Sequence, residues 1–356
     1  MIKTIYYRNF KTLRDTVLPL GRFTLLLGPN GSGKSTAMQA ISMAGSSSNF
    51  FDIVSADLKK VDNVTVSIAI EWADDYRSLD GKRKIEADGL LARLPSPMTV
   101  NVESQWRHSG NTIIVETYQN ASSLLQLPER DKIIRELSSF RIFSFDANAI
   151  AQPMTMNPGI QLESNGAGLA GVLENLRDND PERFEFINKE LGRWLPEFDR
   201  ILFETPAAGQ KGLLLRTKAG LRIKASDLSQ GTLFALAFLT LANLPNPPAI
   251  VCFEEPDRGI HPRLLREISD AMYRLSYPED YDDKRAPVQV IATTHSPYLL
   301  DLYRDHPEEV VIASKGQAGV KFERLTEQSD VSEILKGAPL GEVWYSGVLG
   351  GVPTEP

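Results

Sequence analysis

The residues with the most specific chemistry lie near the N-terminus, in the segment Gly28-Pro29-Asn30-Gly31-Ser32-Gly33-Lys34-Ser35-Thr36. Their types and spacing fit G-x-x-x-x-G-K-[ST], the phosphate-binding P-loop. Glycines let the backbone turn its N–H groups toward an anion. Lys34 supplies a positive charge for the β- and γ-phosphates, and Ser35 offers a hydroxyl to Mg²⁺. The nine residues therefore predict a nucleotide-binding loop.

The elements on either side of this loop fit the same interpretation. Phe23–Leu27 is apolar throughout, as expected for a buried strand that enters the loop. Downstream, Ala37, Ala40, Ile41 and Ala44 repeat at the spacing of one helix face. A phosphate would then lie at a helix N-terminus, where unpaired N–H groups and the helix dipole favour negative charge.

A second candidate segment contains Ser229, Gln230 and Gly231 and precedes an apolar stretch, 233–244. That stretch is apolar on nearly all sides, which predicts a buried helix. Serine and glycine at its start predict another anion-binding helix N-terminus. Taken alone, Ser229 is better explained as an ordinary helix N-cap.

Two carboxylates follow an apolar run, 249–253, that predicts a buried strand. Glu254 and Glu255 would lie where α/β sheets bind ligands. Adjacent strand residues point to opposite sides, so one can face a metal while the other faces a phosphate. We assign Glu254 to Mg²⁺ and Glu255 to polarising the attacking water of a hydrolysis reaction.

A histidine follows another predicted core strand, 288–292. If this strand is parallel to the strand that ends near Glu254, then His295 reaches the same edge of the sheet. We therefore expect His295 to sense the γ-phosphate. His261 precedes Pro262 and is interpreted as a helix cap rather than a ligand.

The composition limits the class of protein. The 356 residues carry a net charge of −7, so the average surface repels nucleic acid and any DNA contact needs a local basic patch or a partner. The basic run at 82–84 is interpreted as a solvent-facing turn. Cys252 is the single cysteine, which excludes a disulfide within the chain. Without an apolar run long enough for a signal peptide or a bilayer span, we expect a cytoplasmic protein.

The remaining elements are read from apolar spacing. Alternation of apolar residues predicts strands in a β-rich segment at 60–120, and 140–145 predicts a further core strand. Asp180 followed by Pro181 predicts a helix start, with Phe184, Ile187, Leu191 and Trp194 on its inner face. The region 278–285 is predicted to be a charged surface loop.

In this order, the P-loop, the Leu-Ser-Gln-Gly-Thr segment (228–232), the Glu-Glu-Pro-Asp strand end and Thr-His-Ser-Pro resemble the ABC-type ATPase heads of the RecF/SMC/overcoming-lysogeny-defect group. The resemblance implies an α/β P-loop NTPase fold with a mixed central sheet, an N-terminal antiparallel β lobe and a small helical lobe. It implies one ATPase domain over 1–356. Its first lobe would be 1–150, its helical lobe 151–245, and its last segment 246–356.

The resemblance also implies a mechanism that uses ATP and Mg²⁺. Such heads dimerise head to tail, and each nucleotide lies between the P-loop of one subunit and Ser229, Gln230 and Gly231 of the other. Asp257 falls at the D-loop position and His295 at the switch position. Three features depart from the pattern: Glu254 stands where aspartate is usual, Gln230 stands where transporters carry glycine, and the Q-loop glutamine is not obvious. We favour Gln152 over Gln161 as the Q-loop glutamine, which would be an additional ligand of the metal ion.

The implied function is an ATP-driven homodimer that controls a separate effector, such as a nuclease from a neighbouring gene, or acts on DNA in phage defence or DNA repair. The interval between Lys34 and Ser229 leaves no room for a coiled-coil arm, and the residues after Asp301 are too few for a Toprim nuclease domain. Two alternatives remain: the ATP-binding subunit of an ABC transporter, and a nucleotide-sensing module with negligible turnover.

Overall fold

The computed structural model describes residues 1–43, 65–73, 99–109, 112–121, 135–157, 159–316, 319–328 and 338–349. The predictions for Ala44 and for the basic run at 82–84 lie outside these ranges. The chain divides into two units. Unit 1 contains Met1–Phe140, Pro248–Cys252 and Gln289–Pro356, and unit 2 contains Arg141–Pro247 and Phe253–Val288. The predicted boundaries at 150 and 245 stay predictions.

Strands and helices of the described residues follow one another in chain order. The strands are β1 (Ile2–Phe10), β2 (Leu13–Pro19), β3 (Phe23–Leu27), β4 (Thr65–Ala73), β5 (Thr99–Ser109), β6 (Thr112–Ala121), β7 (Arg141–Phe143), β8 (Met154–Thr155), β9 (Phe198–Glu204), β10 (Gln210–Thr217), β11 (Arg222–Lys224), β12 (Ile250–Glu254), β13 (Gln289–Thr294), β14 (Val310–Gly316) and β15 (Gly319–Arg324). The α-helices are α1 (Lys34–Met43), α2 (Ala147–Ala151), α3 (Leu169–Asn179), α4 (Pro181–Trp194), α5 (Gln230–Ala242), α6 (Pro262–Ser276), α7 (Pro297–Asp301) and α8 (Leu340–Tyr345).

An antiparallel sheet in unit 1 has the strand order β2-β1-β4-β5-β6. On β1, side chains alternate between the two faces, so Ile5 and Tyr7 are buried while Tyr6 and Arg8 are exposed. The Tyr7 hydroxyl donates a hydrogen bond of 3.2 Å to the Ala37 carbonyl. This sheet is therefore attached to α1, the helix that follows the P-loop.

A mixed sheet in unit 1 places β3 between β13 and β14, both parallel to it, and ends in β15, which is antiparallel to β14. All five residues of β3 are buried, as is typical of a parallel strand covered on both faces. Because parallel strands end at the same edge, the loop after β3 and the residues after β13 lie together. On its other side, β13 neighbours β12, which begins in unit 1 at Ile250 and ends in unit 2 at Glu254.

Unit 2 contains α3–α6 and the antiparallel strands β9, β10 and β11. Asp180 caps α4 by accepting a hydrogen bond from the Arg183 N–H, and the predicted inner face of α4 is buried. Helix α5 is buried from Thr232 to Ala242. The strand predicted at 140–145 is shorter, because only Arg141–Phe143 forms β7. The mixed sheet and the antiparallel β lobe confirm the predicted fold class.

The region predicted as a surface loop, 278–285, is more ordered than expected. It begins with a 3₁₀ turn, Pro278–Tyr281, and the Arg285 side chain is only 10% exposed. Arg285 donates to the carbonyls of Leu244 (2.6 Å) and Ala242 (2.8 Å) at the end of α5. Burial alone would raise the pKa of Asp283, but its hydrogen bonds from Arg285 outweigh this and lower that pKa. The sequence prediction missed that one charged residue of this region turns inward and caps the end of α5.

The described ranges contain no helix that is both long enough and apolar enough to cross a bilayer.

Candidate functional site

The P-loop backbone depends on its glycines for two separate reasons. Gly31 and Gly33 have φ values of 76° and 91°, in the left-handed region that favours glycine. Gly28 is limited by space, because a Cβ there would lie 2.5 Å from the Ala313 carbonyl oxygen. The loop therefore requires glycine at all three predicted positions.

Lys34 begins α1 and folds back over the loop. Its side chain is buried, and its Nζ donates to the carbonyls of Gly28 (2.6 Å) and Pro29 (2.9 Å). The first helical hydrogen bond runs from the Ala37 N–H to the Gly33 carbonyl. Ser35 is exposed on the first turn. The ammonium group and the free end of the helix thus lie at one place, which suits a bound phosphate.

Ser32 gives an independent sign that the loop is built for a ligand. Its side chain is 1% exposed, and its Oγ has no hydrogen-bond partner among the residues that the structure describes. A buried hydroxyl without a partner costs about 1–3 kcal/mol. A phosphate oxygen would remove that cost, so the loop fits a nucleotide phosphate.

The end of β13 is joined to the P-loop within unit 1. Thr294 pairs with Leu27 in the parallel register, and its carbonyl accepts a 3.2 Å hydrogen bond from the Gly28 N–H. His295 is the next residue and is exposed. Ser296 then caps α7 through the Leu299 N–H. The structure therefore brings His295 beside the first residue of the loop.

In unit 2, the two predicted carboxylates do not lie on one strand. β12 ends at Glu254, and Glu255 has a φ of 49°, the left-handed region that non-glycine residues rarely adopt. The alternation argument for their opposite directions was therefore wrong, because the backbone turns between them. Such strained residues cluster at functional sites, and both side chains are half-buried.

Arg258 fixes the turn that follows Glu255, and the sequence interpretation missed it. Its N–H donates to the Glu255 carbonyl (2.9 Å), and its guanidinium donates to the Phe145 carbonyl (2.9 Å). Asp257 lies in the same turn, where its carbonyl accepts from the Ile260 N–H at 3.2 Å. A basic residue directly after the acidic run was the available signal, but its partner is distant in sequence.

An aromatic cluster lies beneath the two carboxylates. Phe145 packs against Phe238 with ring centroids 5.0 Å apart, and Phe238 packs against Phe253 at 5.0 Å. Aromatic rings of this cluster and the residues 254–256 enclose a small cavity in unit 2. The cluster gives the end of β12 a rigid support. Sequence spacing cannot reveal it, because its members come from three elements.

The segment Ser229–Gly231 contacts the turn after Glu255. A Cβ on Gly259 would lie 2.7 Å from Gln230 Cδ, and a Cβ on Gly231 would lie 3.1 Å from the Gly259 carbonyl oxygen. Ser229 caps α5 by accepting from the Thr232 N–H (3.2 Å), as its alternative interpretation predicts. Ser229 and Gln230 are both exposed and available to a ligand or a partner.

Two other predicted residues have simpler positions. His261 caps α6 by accepting a 3.2 Å hydrogen bond from the Arg263 N–H, as predicted. Gln152 is exposed at the C-terminal end of α2, and Gln161 is exposed in the following loop. The assignment of Gln152 to the metal stays a prediction.

Two protein families match adjacent parts of the chain. The family described as "AAA ATPase domain" matches residues 1–149. The family described as "AAA domain, putative AbiEii toxin, Type IV TA system" matches residues 159–301. The first contains the P-loop and the second contains Ser229, both carboxylates and His295, so the two matches cover the four segments that carry the predicted resemblance.

One curated protein and two solved structures extend this comparison. The chain is 25% identical to the OLD nuclease of Thermus scotoductus over 96% of its own length and 68% of that protein. It superposes on the SMC head domain of Thermotoga maritima with a TM-score of 0.50 and 15% identity, covering 91% of this chain and 98% of that one. The Smc head of Pyrococcus furiosus, solved with the C-terminal domain of ScpA, gives a TM-score of 0.56 and 15% identity over 94% and 99%. These matches confirm the predicted resemblance to the ABC-type ATPases of the RecF, SMC and overcoming-lysogeny-defect group.

Proposed function

We propose that the protein binds and hydrolyses ATP in the cytoplasm, dimerises head to tail when ATP is bound, and through that dimer controls a separate effector or acts on DNA. Phage defence or DNA repair is the proposed setting. The observation that carries the proposal is the P-loop of unit 1. It combines the Lys34 ammonium group at the start of α1 with a buried Ser32 hydroxyl that has no partner among the described residues. This hydroxyl and the ammonium group can both donate hydrogen bonds to the oxygens of a phosphate chain.

The P-loop, residues 28–36, would bind ATP. In this proposal, Lys34 exchanges its carbonyl partners for the β- and γ-phosphates, and the backbone N–H groups of Gly31 and Gly33 turn toward the same oxygens. Ser35 and Glu254 would hold Mg²⁺, with Gln152 as an additional ligand. When bound, the ion would neutralise charge between the β- and γ-phosphates.

Hydrolysis falls to Glu255 and His295. Glu255 orients the attacking water and accepts its proton, and the turn held by Arg258 keeps the carboxylate in position. His295 donates a hydrogen bond to the γ-phosphate and so reports whether that group is present. Phosphoryl transfer depends mostly on positioning and electrostatics. The reaction therefore requires a carboxylate and a hydrogen-bond donor in fixed positions, and Glu255 and His295 would provide them.

The dimer would use the exposed Ser229 and Gln230, together with Gly231, of the second subunit to close the nucleotide site, with Asp257 in the adjoining turn. An exposed helix N-terminus has N–H groups available for a phosphate from another chain. The Smc head of Pyrococcus furiosus was solved with a bound partner protein. By analogy, we propose that a partner protein recognises the ATP-bound dimer.

The test is the solution mass of Glu255→Gln with and without ATP and Mg²⁺, measured by light scattering. The variant keeps its shape and loses its base, so it should bind ATP without turnover and double in mass only when ATP is present. Lys34→Ala should weaken ATP binding and stay a monomer. Ser229→Arg should bind ATP normally but fail to dimerise.

The results separate the proposal from its alternatives. Normal ATP turnover by Ser229→Arg would refute the closure of the site by a second subunit. A mass that ATP does not change, with negligible phosphate release by the unmodified protein, would favour the nucleotide-sensing module. Co-purification with a membrane protein would favour the transporter subunit.

A further inference from the structure

Unit 2 contains a cavity of about 290 Å³ that shares no residue with the proposed nucleotide site. It lies between α4, the end of α5, α6 and the turn Pro278–Tyr281. Its apolar surface includes Leu239 and Ala271, and charged side chains of both signs lie beside these. A concave site with an apolar surface and a few polar groups is the usual form of a small-ligand pocket.

Arg274 presents the positive charge of this cavity. Its guanidinium lies 5.1 Å from the ring centroid of Phe186 and 4.9 Å from that of Tyr281. Contacts with ring faces leave the N–H groups in the guanidinium plane available. Among the described residues, no carboxylate lies within ion-pair distance of Arg274, so this donor is free to bind an anionic group.

Asp270 presents the negative charge, one helical turn before Arg274. It has no hydrogen bond or ion pair to any residue that the structure describes, although it lines the cavity. Partial loss of water raises its pKa, and the charges of Arg193, Arg266 and Arg274 lower that pKa only in part. Residues at i and i+4 of a helix lie on the same face. An acceptor and a donor therefore lie side by side, each without a direct partner.

The other charged side chains at the cavity, Glu190 and Arg193, are already paired with each other. Arg193 contacts Glu190 at 2.8 Å and Glu267 at 3.0 Å. Asp270 and Arg274 are therefore the charged side chains of this cavity that can pair with a ligand, and they carry opposite charge.

Trp194 adds an uncharged donor to the same cavity. Its side chain is 6% exposed, and its Nε1 has no acceptor within the described part of the chain. Most buried indole N–H groups find a hydrogen-bond partner. A buried donor without one, on a residue that lines the cavity, indicates that the acceptor is supplied by a ligand.

We propose that this cavity binds a small zwitterion of the amino-acid class. The ammonium group of the ligand pairs with Asp270, its carboxylate pairs with Arg274 and accepts from Trp194 Nε1, and its apolar body packs on Leu239 and Ala271. The volume suits such a compound, since it equals that of about ten water molecules at about 30 Å³ each. The inference does not rest on the proposed ATPase activity.

The experiment is isothermal titration of the full-length protein with each of the twenty common amino acids. At least one should bind, and its methyl ester and its N-acetyl derivative should each bind about tenfold more weakly, because each lacks one charged group. Asp270→Asn keeps the side-chain shape and should weaken binding about tenfold. Trp194→Phe keeps the packing and should weaken binding several-fold. Lys189→Gln, an exposed charge on α4, is the matched control and should bind as the unmodified protein does.

Two results would overturn the proposal. One is the absence of binding by every amino acid at about 10 mM, a result that would leave the charged side chains of a partner protein as the cavity's occupant. The other is binding that Asp270→Asn leaves unchanged, since the ammonium group would then lie elsewhere. Circular dichroism of each variant shows whether it is folded.

Discussion

Replacing Gly259 with alanine tests the contact between the turn after Glu255 and the segment Ser229–Gly231. Gly259 has a φ of 71°, and an added Cβ would lie 2.7 Å from Gln230 Cδ. Alanine in the left-handed region costs about 1–2 kcal/mol. Moving the Gln230 side chain away from its rotamer costs about 1 kcal/mol more. The variant should therefore lose about 2–3 kcal/mol of the free energy of unfolding.

Gly220→Ala is the matched control for this experiment. Gly220 has a φ of 85°, but a Cβ there would meet no atom within 4 Å. It carries the same backbone strain without the contact and should lose only about 1–2 kcal/mol. In a Gln230→Ala background, Gly259→Ala should cost no more than Gly220→Ala, because the side chain that it displaces is gone.

Urea unfolding measures the free energy of unfolding of both variants, Gly259→Ala and Gly220→Ala, and phosphate release measures their ATP turnover. We expect Gly259→Ala to lower turnover about tenfold or more, since it shifts the turn that holds Glu255, while Gly220→Ala leaves turnover unchanged. Equal losses of stability and equal turnover in the two variants would refute the packing argument. A stability difference without a turnover difference would confirm the contact but refute its role in hydrolysis.

Three further predictions concern single side chains. Arg285→Ala should lower the free energy of unfolding, measured with urea, by about 2–4 kcal/mol, because two carbonyls at the end of α5 and the Asp283 carboxylate lose their hydrogen-bond donor. The control Lys284→Ala, at an exposed residue, should change that free energy by less than about 0.5 kcal/mol. Tyr7→Phe should cost about 0.5–1.5 kcal/mol by the same assay, as it removes the hydrogen bond to Ala37; an unchanged midpoint would mean that this bond contributes nothing. Asp270→Asn should raise the melting temperature at pH 7, because desolvation raises the pKa of Asp270 and the folded state therefore disfavours its charge. This gain should disappear below the unfolded pKa of about 3.8, where the carboxyl is protonated in both the folded and the unfolded state. A gain that persists at that pH would contradict the argument.

Several parts of the site follow from local sequence, because neighbouring residues alone set their geometry. The P-loop is predictable since left-handed turns at Gly31 and Gly33 and a helix start at Lys34 need no distant partner. Asp180 and Ser229 cap their helices through N–H groups only three residues away. Apolar runs likewise predict buried strands without knowledge of their neighbours in the sheet.

Other parts depend on residues that are distant along the chain. Arg258 holds its turn through the Phe145 carbonyl, 113 positions away, and Arg285 reaches the end of α5 from 41 and 43 positions. Neither spacing has a period that sequence analysis detects. The same holds for Gly259, whose need for glycine comes from Gln230 as well as from its φ.

The sequence by itself predicted which residues would carry the phosphate chemistry, since turn glycines, a lysine and carboxylates at strand ends are read from residue type and order. Only the tertiary structure decided how they are held. The backbone turns into the left-handed region at Glu255 because the following turn is fixed by Arg258, and strand alternation does not extend beyond Glu254. Likewise, only packing of α4 against α5 and α6 brings Trp194, Asp270 and Arg274 to one cavity, because such contacts join surfaces whose pairing no local pattern encodes.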